Sequence, residues 1–173
     1  MVEVAVEHFS FRPIEAADID ALVALEKIAQ ESPWGEQSFK RCLNPTFSGW
    51  IVDAVNQPLS VESERSDVDD SDAENTICAF AIFQAVADES HLLDIVVDPE
   101  LQGQGIGRQL LGFIIDRARE VGAIAMYLEV RQSNLAAKSL YLSMGFLEVA
   151  ERKNYYKTLA GEMENASVMM RAI

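Results

Sequence analysis

Positive charge is scarce in this chain: 14 lysines and arginines stand against 28 aspartates and glutamates, a formal net charge of −14 over 173 residues. That balance argues against nucleic acid as a partner and favours a basic peptide or an amine, although acidity also serves solubility alone. Cysteine is nearly absent. Cys42 and Cys78 lie far apart in apolar surroundings, which excludes a disulfide-dense secreted scaffold and predicts two reduced thiols in the cytoplasm. The two histidines, His8 and His91, have no ligand-like neighbours in sequence, so no metal is expected. No apolar run reaches the ~20 residues a membrane span needs. The start, Met1-Val2-Glu3-Val4, lacks the basic opening and apolar stretch of a secretory signal. The expectation is therefore no membrane association and a monomer in the cytoplasm.

What is present fits one domain, residues 1–173, with a real hydrophobic core; apolar residues make up 49% of the chain. The acidity is concentrated. Glu62, Glu64, Asp67, Asp69, Asp70, Asp72 and Glu74 lie between Pro58 and Asn75 against Arg65 alone. Residues 57–75 are polar and aperiodic, and read as a flexible acidic loop.

Elsewhere the periodicity is clear. Val4 to Phe11 alternates as a strand ended by Arg12-Pro13, and Ala17, Leu22, Leu25, Ile28 and Ala29 recur at helical spacing. Ser32-Pro33-Trp34-Gly35 breaks that helix before a second, Glu36 to Leu43. Strands are predicted at 50–55, 77–87, 92–97, 123–130, 146–153 and 167–172. Helices are predicted at 105–121, closed by Gly122, and at 134–144, closed by Gly145. The order β-α-α-β-β-β-α-β-α-β-β implies a mixed α/β domain around a central, largely antiparallel sheet.

The most informative segment is Gln102-Gly103-Gln104-Gly105-Ile106-Gly107-Arg108, which leads from an apolar strand into an amphipathic helix. Alternating glycines let backbone N–H groups close around an oxyanion, with the positive end of the helix behind them. The anion expected is a phosphate or pyrophosphate. A dinucleotide fingerprint fails, because the spacing is G-x-G-x-G where G-x-G-x-x-G is needed. The first glycine also falls six residues after Val97, too far for that tight turn. A Walker loop is excluded by the missing Gly-Lys-Ser/Thr.

The loop resembles the Q/R-x-x-G-x-G/A loop of the GNAT superfamily of acyl-CoA-dependent N-acetyltransferases, and Ile95-Val96-Val97-Asp98-Pro99 is similar to that superfamily's central strand. Four further segments resemble, more narrowly, the family of ribosomal-protein-alanine N-acetyltransferases. They are Ser32-Pro33-Trp34 with Phe39, Leu128-Glu129-Val130-Arg131 with Ser133-Asn134, Leu140-Tyr141 with Gly145-Phe146, and Arg152-Lys153-Asn154-Tyr155-Tyr156. The acidic insert at 57–75 departs from that pattern, which has a short turn there.

The resemblance implies a GNAT fold, with a mixed, largely antiparallel twisted sheet and helices on both faces. It implies acetyl-CoA as co-substrate and no metal. The backbone of Ile95, Val96 and Val97, exposed where the sheet splays, would pair with the pantetheine amides. The N–H groups of Gly103, Gln104, Gly105, Ile106, Gly107 and Arg108 would take the pyrophosphate, with Asn134 as a further contact and helix cap. Acetyl transfer needs a neutral amine, whereas an α-amine with a pKa near ~8 is partly protonated at neutral pH. The resemblance makes Glu129 the general base, directly or through water, and Tyr141 the general acid that protonates the leaving thiolate. Trp34, Tyr155 and Tyr156 are candidates to line the substrate groove, with core packing an equal alternative. The implied acceptor is the N-terminal alanine of a small-subunit ribosomal protein, a basic N-terminus suited to an acidic enzyme. Lysine side chains or small-molecule amines are the other acceptors considered, and an acyl-CoA-binding module without turnover is the non-enzymatic alternative.

Overall fold

The computed structural model describes residues 8–55, 76–158 and 160–173. The predicted acidic loop at 57–75 and the start of the first predicted strand lie outside these residues. The elements are β1 (His8–Pro13), α1 (Ile19–Ala29), α2 (Glu36–Cys42), β2 (Phe47–Val55), β3 (Thr76–Val86) and β4 (Glu89–Val97). They continue with α3 (Ile106–Glu120), β5 (Ala125–Arg131), α4 (Leu135–Ser143), β6 (Leu147–Lys157) and β7 (Met163–Ala172). This is the predicted order. Several strands run longer than their apolar patches because partner strands satisfy polar segments: Glu89, Ser90 and His91 pair on both sides of β4. Arg12 and Pro13 are the last residues of β1, with Pro13 opposite Trp50, a position an edge strand tolerates.

The strands form one seven-stranded sheet ordered β1-β2-β3-β4-β5-β7-β6, and every neighbouring pair is antiparallel except β4 and β5. Both faces are covered. On one, Ile106, Leu110, Leu111, Ile114, Ile115 and Ala118 of α3 bury against Ala79, Ala81 and Phe83 of β3 and Leu92, Met126 and Leu128. On the other, Ile19, Leu22 and Leu25 of α1 and Phe39 of α2 pack on Ile51, Phe80, Ile82 and Val96. The alternation along β3 assigns successive residues to opposite layers, as a strand buried on both faces requires.

Two irregularities in β4 position the site. Its register with β3 shifts between Ile82 and Phe83, which face Asp94 and Leu92 respectively. Leu93 is thus the extra residue of a bulge, which re-aims the side chains on either side of it. Leu92 enters the α3 layer, whereas Val96 enters the α1 layer and Asp94 meets α1 through Glu26. The second irregularity is an early end to the parallel ladder. It runs from Glu89↔Ala125 to Leu92↔Leu128, yet β4 continues to Val97 beside β3 and β5 to Arg131 beside β7. Between those diverging ends the sheet is open.

Candidate active site

The open edge of β4 leads into the glycine loop. A 3₁₀ turn at Pro99–Leu101, capped by the Asp98 carboxylate accepting from the Glu100 N–H at 2.9 Å, lies between the strand and the first glycine. This accounts for the spacing that excludes a tight dinucleotide turn. Gln102 donates from Nε2 to the Val97 carbonyl at 3.1 Å, folding the loop back on the strand end. Gly103 and Gly105 have φ of +81° and +88°, and a Cβ at either would meet nothing within 4 Å. Their glycines are thus required by backbone conformation rather than by crowding within the protein.

The first hydrogen bond of α3 runs from Gln109 N–H to the Gly105 carbonyl. The N–H groups of Ile106, Gly107 and Arg108 therefore have no acceptor inside the helix and face outward at its positive end. The Arg108 side chain does not hang free. It donates to Ser143 Oγ at 2.7 Å and to Met144 Sδ at 3.2 Å, tying α3 to the end of α4. The resulting groove has a volume of ≈ 440 Å³ and is lined by Ile95, Val96, Val97, Gly103, Gly105, Ile106, Gly107, Arg108, Asn134, Leu140 and Tyr141. Gln104, expected among these, is not part of the lining. An unpaired strand edge followed by bare N–H donors fits an elongated ligand with amides at one end and phosphates at the other. Among the described residues, no group of three or more His, Cys, Asp or Glu side chains stands together as a metal site.

A second cleft meets the first where Ile95, Asn134 and Tyr141 line both. Asn134 caps α4, its Oδ1 accepting from the Ala137 N–H at 3.0 Å. Tyr141, on α4, is 6% exposed and packs against Phe146. Burial, with smaller contributions from Asp94 and Tyr156, raises its hydroxyl well above the ordinary phenol range, so it stays protonated and able to donate at physiological pH. Glu129 lines the second cleft from β5, just past the last rung of the parallel ladder. Its Oε1 lies 3.3 Å from Arg152, and its carbonyl accepts from the Tyr156 hydroxyl at 3.2 Å. Trp34 and Tyr156 also line this cleft, while Tyr155 does not; it is 45% exposed and stands edge-on to Tyr156. Burial pushes Tyr156 up to about 12.

One guanidinium holds the rim. Arg131 donates to Ser32 Oγ at 2.8 Å, to the Lys157 carbonyl at 3.0 Å and to Glu164 at 3.0 Å, and lies 4.5 Å over the Tyr156 ring. It pins the α1–α2 connection and the β6–β7 hairpin to β5, a branching and stacking role for which the several donors of a planar guanidinium suit better than a Lys.

Two site residues escaped the sequence reading. Glu26 of α1 is 1% exposed and Asp94 of β4 is 8% exposed, and both line the second cleft. Burial raises both carboxyls above the ordinary range, and at Asp94 the neighbouring Glu26 charge adds to it. The signal was an acid inside two apolar patterns: Glu26 follows Leu22 and Leu25 on the buried helix face, and Asp94 interrupts Leu92-Leu93 and Ile95-Val96-Val97.

Comparison with known proteins gives a consistent result. The family model described as Acetyltransferase (GNAT) family matches residues 20–146. The "[Ribosomal protein bS18]-alanine N-acetyltransferase" of Escherichia coli is 38% identical over 156 residues, 90% of this chain and 92% of that protein. Its Salmonella typhimurium counterpart is 36% identical over the same span. The crystal structure of the Escherichia coli ribosomal-protein-S18-alanine N-acetyltransferase superposes with a TM-score of 0.78 at 34% identity, covering 96% of this chain and 94% of that one. Arabidopsis thaliana NAA60 in complex with acetyl-CoA superposes at 0.81, covering 96% of this chain and 99% of that one, but at 17% identity it speaks to the fold alone.

Proposed function

The chain belongs to the GNAT family and is an acetyl-CoA-dependent N-acetyltransferase, and on that premise we propose that it acetylates the N-terminal alanine of ribosomal protein bS18, with Glu129 as general base and Tyr141 as general acid. The observation that carries the acceptor is the identity of 38% across 90% of the chain with an enzyme so named. The junction of the two clefts supports the roles. The first offers strand-edge amides and helix N–H donors to one substrate; the second is a carboxylate-lined approach for an amine. The net charge of −14 favours a basic N-terminus. Among the described residues no helix is long and apolar enough to cross a membrane, and we read the protein as one acetyltransferase domain acting as a monomer in the cytoplasm.

Bound acetyl-CoA supplies a thioester whose carbonyl carbon the amine attacks. On the protein side, the backbone of Ile95–Val97 would align the pantetheine arm, and the N–H groups from Gly103 to Arg108 would hold the pyrophosphate. Glu129 takes one proton of the incoming ammonium, directly or through one water, Tyr141 donates its phenolic proton to the departing sulfur, and the second nitrogen proton, released as the amide forms, returns to Tyr141. Burial of Tyr141 keeps that proton in place until it is needed.

The test is acetyl transfer to a basic peptide beginning with alanine, beside a matched peptide with a blocked α-amine and internal lysines. Transfer confined to the free α-amine is expected. Transfer only to lysine would reassign the acceptor, and cofactor binding without transfer to either peptide would refute the proposed substrate.

A further inference from the structure

The floor of the acceptor cleft contains two acids that no cation among the described residues neutralises. We propose that Glu26 and Asp94 share one proton, forming a positioning pair that fixes the acceptor-side wall of the cleft and works only while that proton is held. The role, though not the shared proton, rests on the acceptor reading above.

The hydrogen-bond inventory leads there. Glu26 Oε1 accepts from the Trp34 N–H at 3.0 Å. The Ile95 N–H and the Gln30 side chain both lie beside Asp94 and favour its charged form, against the stronger effect of burial. One oxygen of each, Glu26 Oε2 and Asp94 Oδ2, is buried with no donor, yet the two side chains lie within hydrogen-bonding reach of each other. Two facing carboxylates cannot satisfy one another, whereas a carboxylic acid donating to a carboxylate satisfies both orphans at once. A buried acceptor without a donor is costly, so the protonated pair is the arrangement consistent with this burial.

Among the described residues no other charge removes the need. From α2 Cys42 feels Asp94, as do Tyr141 of α4 and Tyr156 of β6; all three are weak acids, neutral at physiological pH. Across the cleft Glu129 is paired with Arg152, and Arg131 is engaged by Glu164. Among the described residues no lysine or arginine bridges to either member of the pair.

Position gives the pair its task. Through Trp34 it anchors the turn after α1, and through Asp94 it is tied to β4 immediately before the open edge at Ile95. The wall that meets the incoming peptide is therefore tied to the strand facing the thioester substrate. The sign of the pH dependence follows. A carboxyl with a raised folded pKa holds a proton that the unfolded chain has already released. Its stabilising contribution is full below the ordinary carboxylate range and declines as pH rises toward the folded pKa. Loss of the proton sets two carboxylates against each other and loosens the wall.

The experiment compares the wild type with Asp94→Asn, whose amide donates to Glu26 without a shared proton, and with Asp94→Ala. Carboxyl ¹³C NMR titration should show one side-chain carboxyl titrating well above the ordinary range, absent in Asp94→Asn. Kinetics with the alanine peptide on either side of the titration midpoint found by NMR should show the wild-type acceptor KM rising about ten-fold relative to Asp94→Asn, a ratio in which titration of the peptide amine cancels. Acetyl-CoA KM should stay within about two-fold throughout, and Asp94→Ala should raise acceptor KM about ten-fold at every pH by orphaning Glu26. The shared proton is refuted if no carboxyl titrates high. The positioning role is refuted if the KM ratio is flat with pH, or if Asp94→Ala raises both KM values together. Should Asp94→Ala fail to fold, the isosteric Asp94→Asn and the wild-type titration decide. Failure of every α-amine peptide overturns the acceptor reading and the positioning role with it, while the NMR titration still decides the shared proton.

Discussion

The same substitution, glycine to alanine, should have opposite effects on stability at two positions of the anion loop. Gly105 has φ +88° and ψ 0°, and a Cβ there would meet nothing within 4 Å. Steric contact with the protein therefore contributes nothing, and the cost of Gly105→Ala is that of one left-handed alanine, about 1–2 kcal/mol. In a domain of this size that lowers Tm by roughly 2–8 °C. Gly107 has no such φ, sits in the first turn of α3, and a Cβ there would lie 3.5 Å from Leu140 Cδ2 and 3.5 Å from Val97 Cγ2, ordinary contact distances. Gly107→Ala should be neutral or stabilise by up to about 1 kcal/mol, because alanine loses less backbone entropy in a helix. Both variants should raise acetyl-CoA KM, Gly105→Ala by displacing the N–H groups and Gly107→Ala by placing a methyl in the groove. Thermal unfolding of the apo-protein with acetyl-CoA titration by calorimetry measures both effects. An unperturbed Tm for Gly105→Ala, or a Tm loss for Gly107→Ala, would refute the conformational reasoning.

Three further substitutions probe the rest of the site and scaffold. Tyr141→Phe removes a buried hydroxyl and should lower kcat by about 10²-fold or more while leaving acetyl-CoA KM nearly unchanged; equal losses in both would make the tyrosine a packing residue. Arg131→Ala releases Ser32, the Lys157 carbonyl and Glu164 together, and should cost about 2 kcal/mol and raise acceptor KM more than acetyl-CoA KM. Steady-state kinetics beside urea unfolding would show otherwise if the two KM values rise in step. Arg12 bridges Asp18 and the buried Asp53, and its hydrogen bond, helped by the Glu15 N–H, holds the Asp18 carboxyl below the ordinary range. That stabilisation is present above the ordinary carboxylate pKa and is lost as pH falls through the lowered folded value. Arg12→Gln should therefore shift the acid-unfolding midpoint upward, and an unchanged midpoint would contradict the sign.

Local chemistry wrote much of this protein into its sequence. Helical periodicity in Leu22 and Leu25 or in Leu110, Leu111 and Ile114 is set by side chains a turn apart, so it can be read without knowing what they touch. The glycines of the anion loop are equally local, since a positive φ at Gly103 and Gly105 is a demand of the backbone itself. The resemblance of whole segments singled out Glu129, Tyr141 and Asn134; Tyr141 and Asn134 line both clefts, and Glu129 lines the second. Tertiary structure alone decided which neighbours meet. Whether Tyr155 or Tyr156 faces the cleft depends on the register shift between Arg152 and Tyr156 and on Asn154 at φ +52°; two adjacent tyrosines in sequence are equivalent until that bulge turns one of them in. The bulge at Leu93 similarly turns Asp94 from the α3 layer to the α1 layer, where it meets Glu26. Their separation from residue 26 to residue 94 leaves no periodic trace, because a buried pair is defined by the register of two strands and the face of a helix, and those are settled only when the sheet closes.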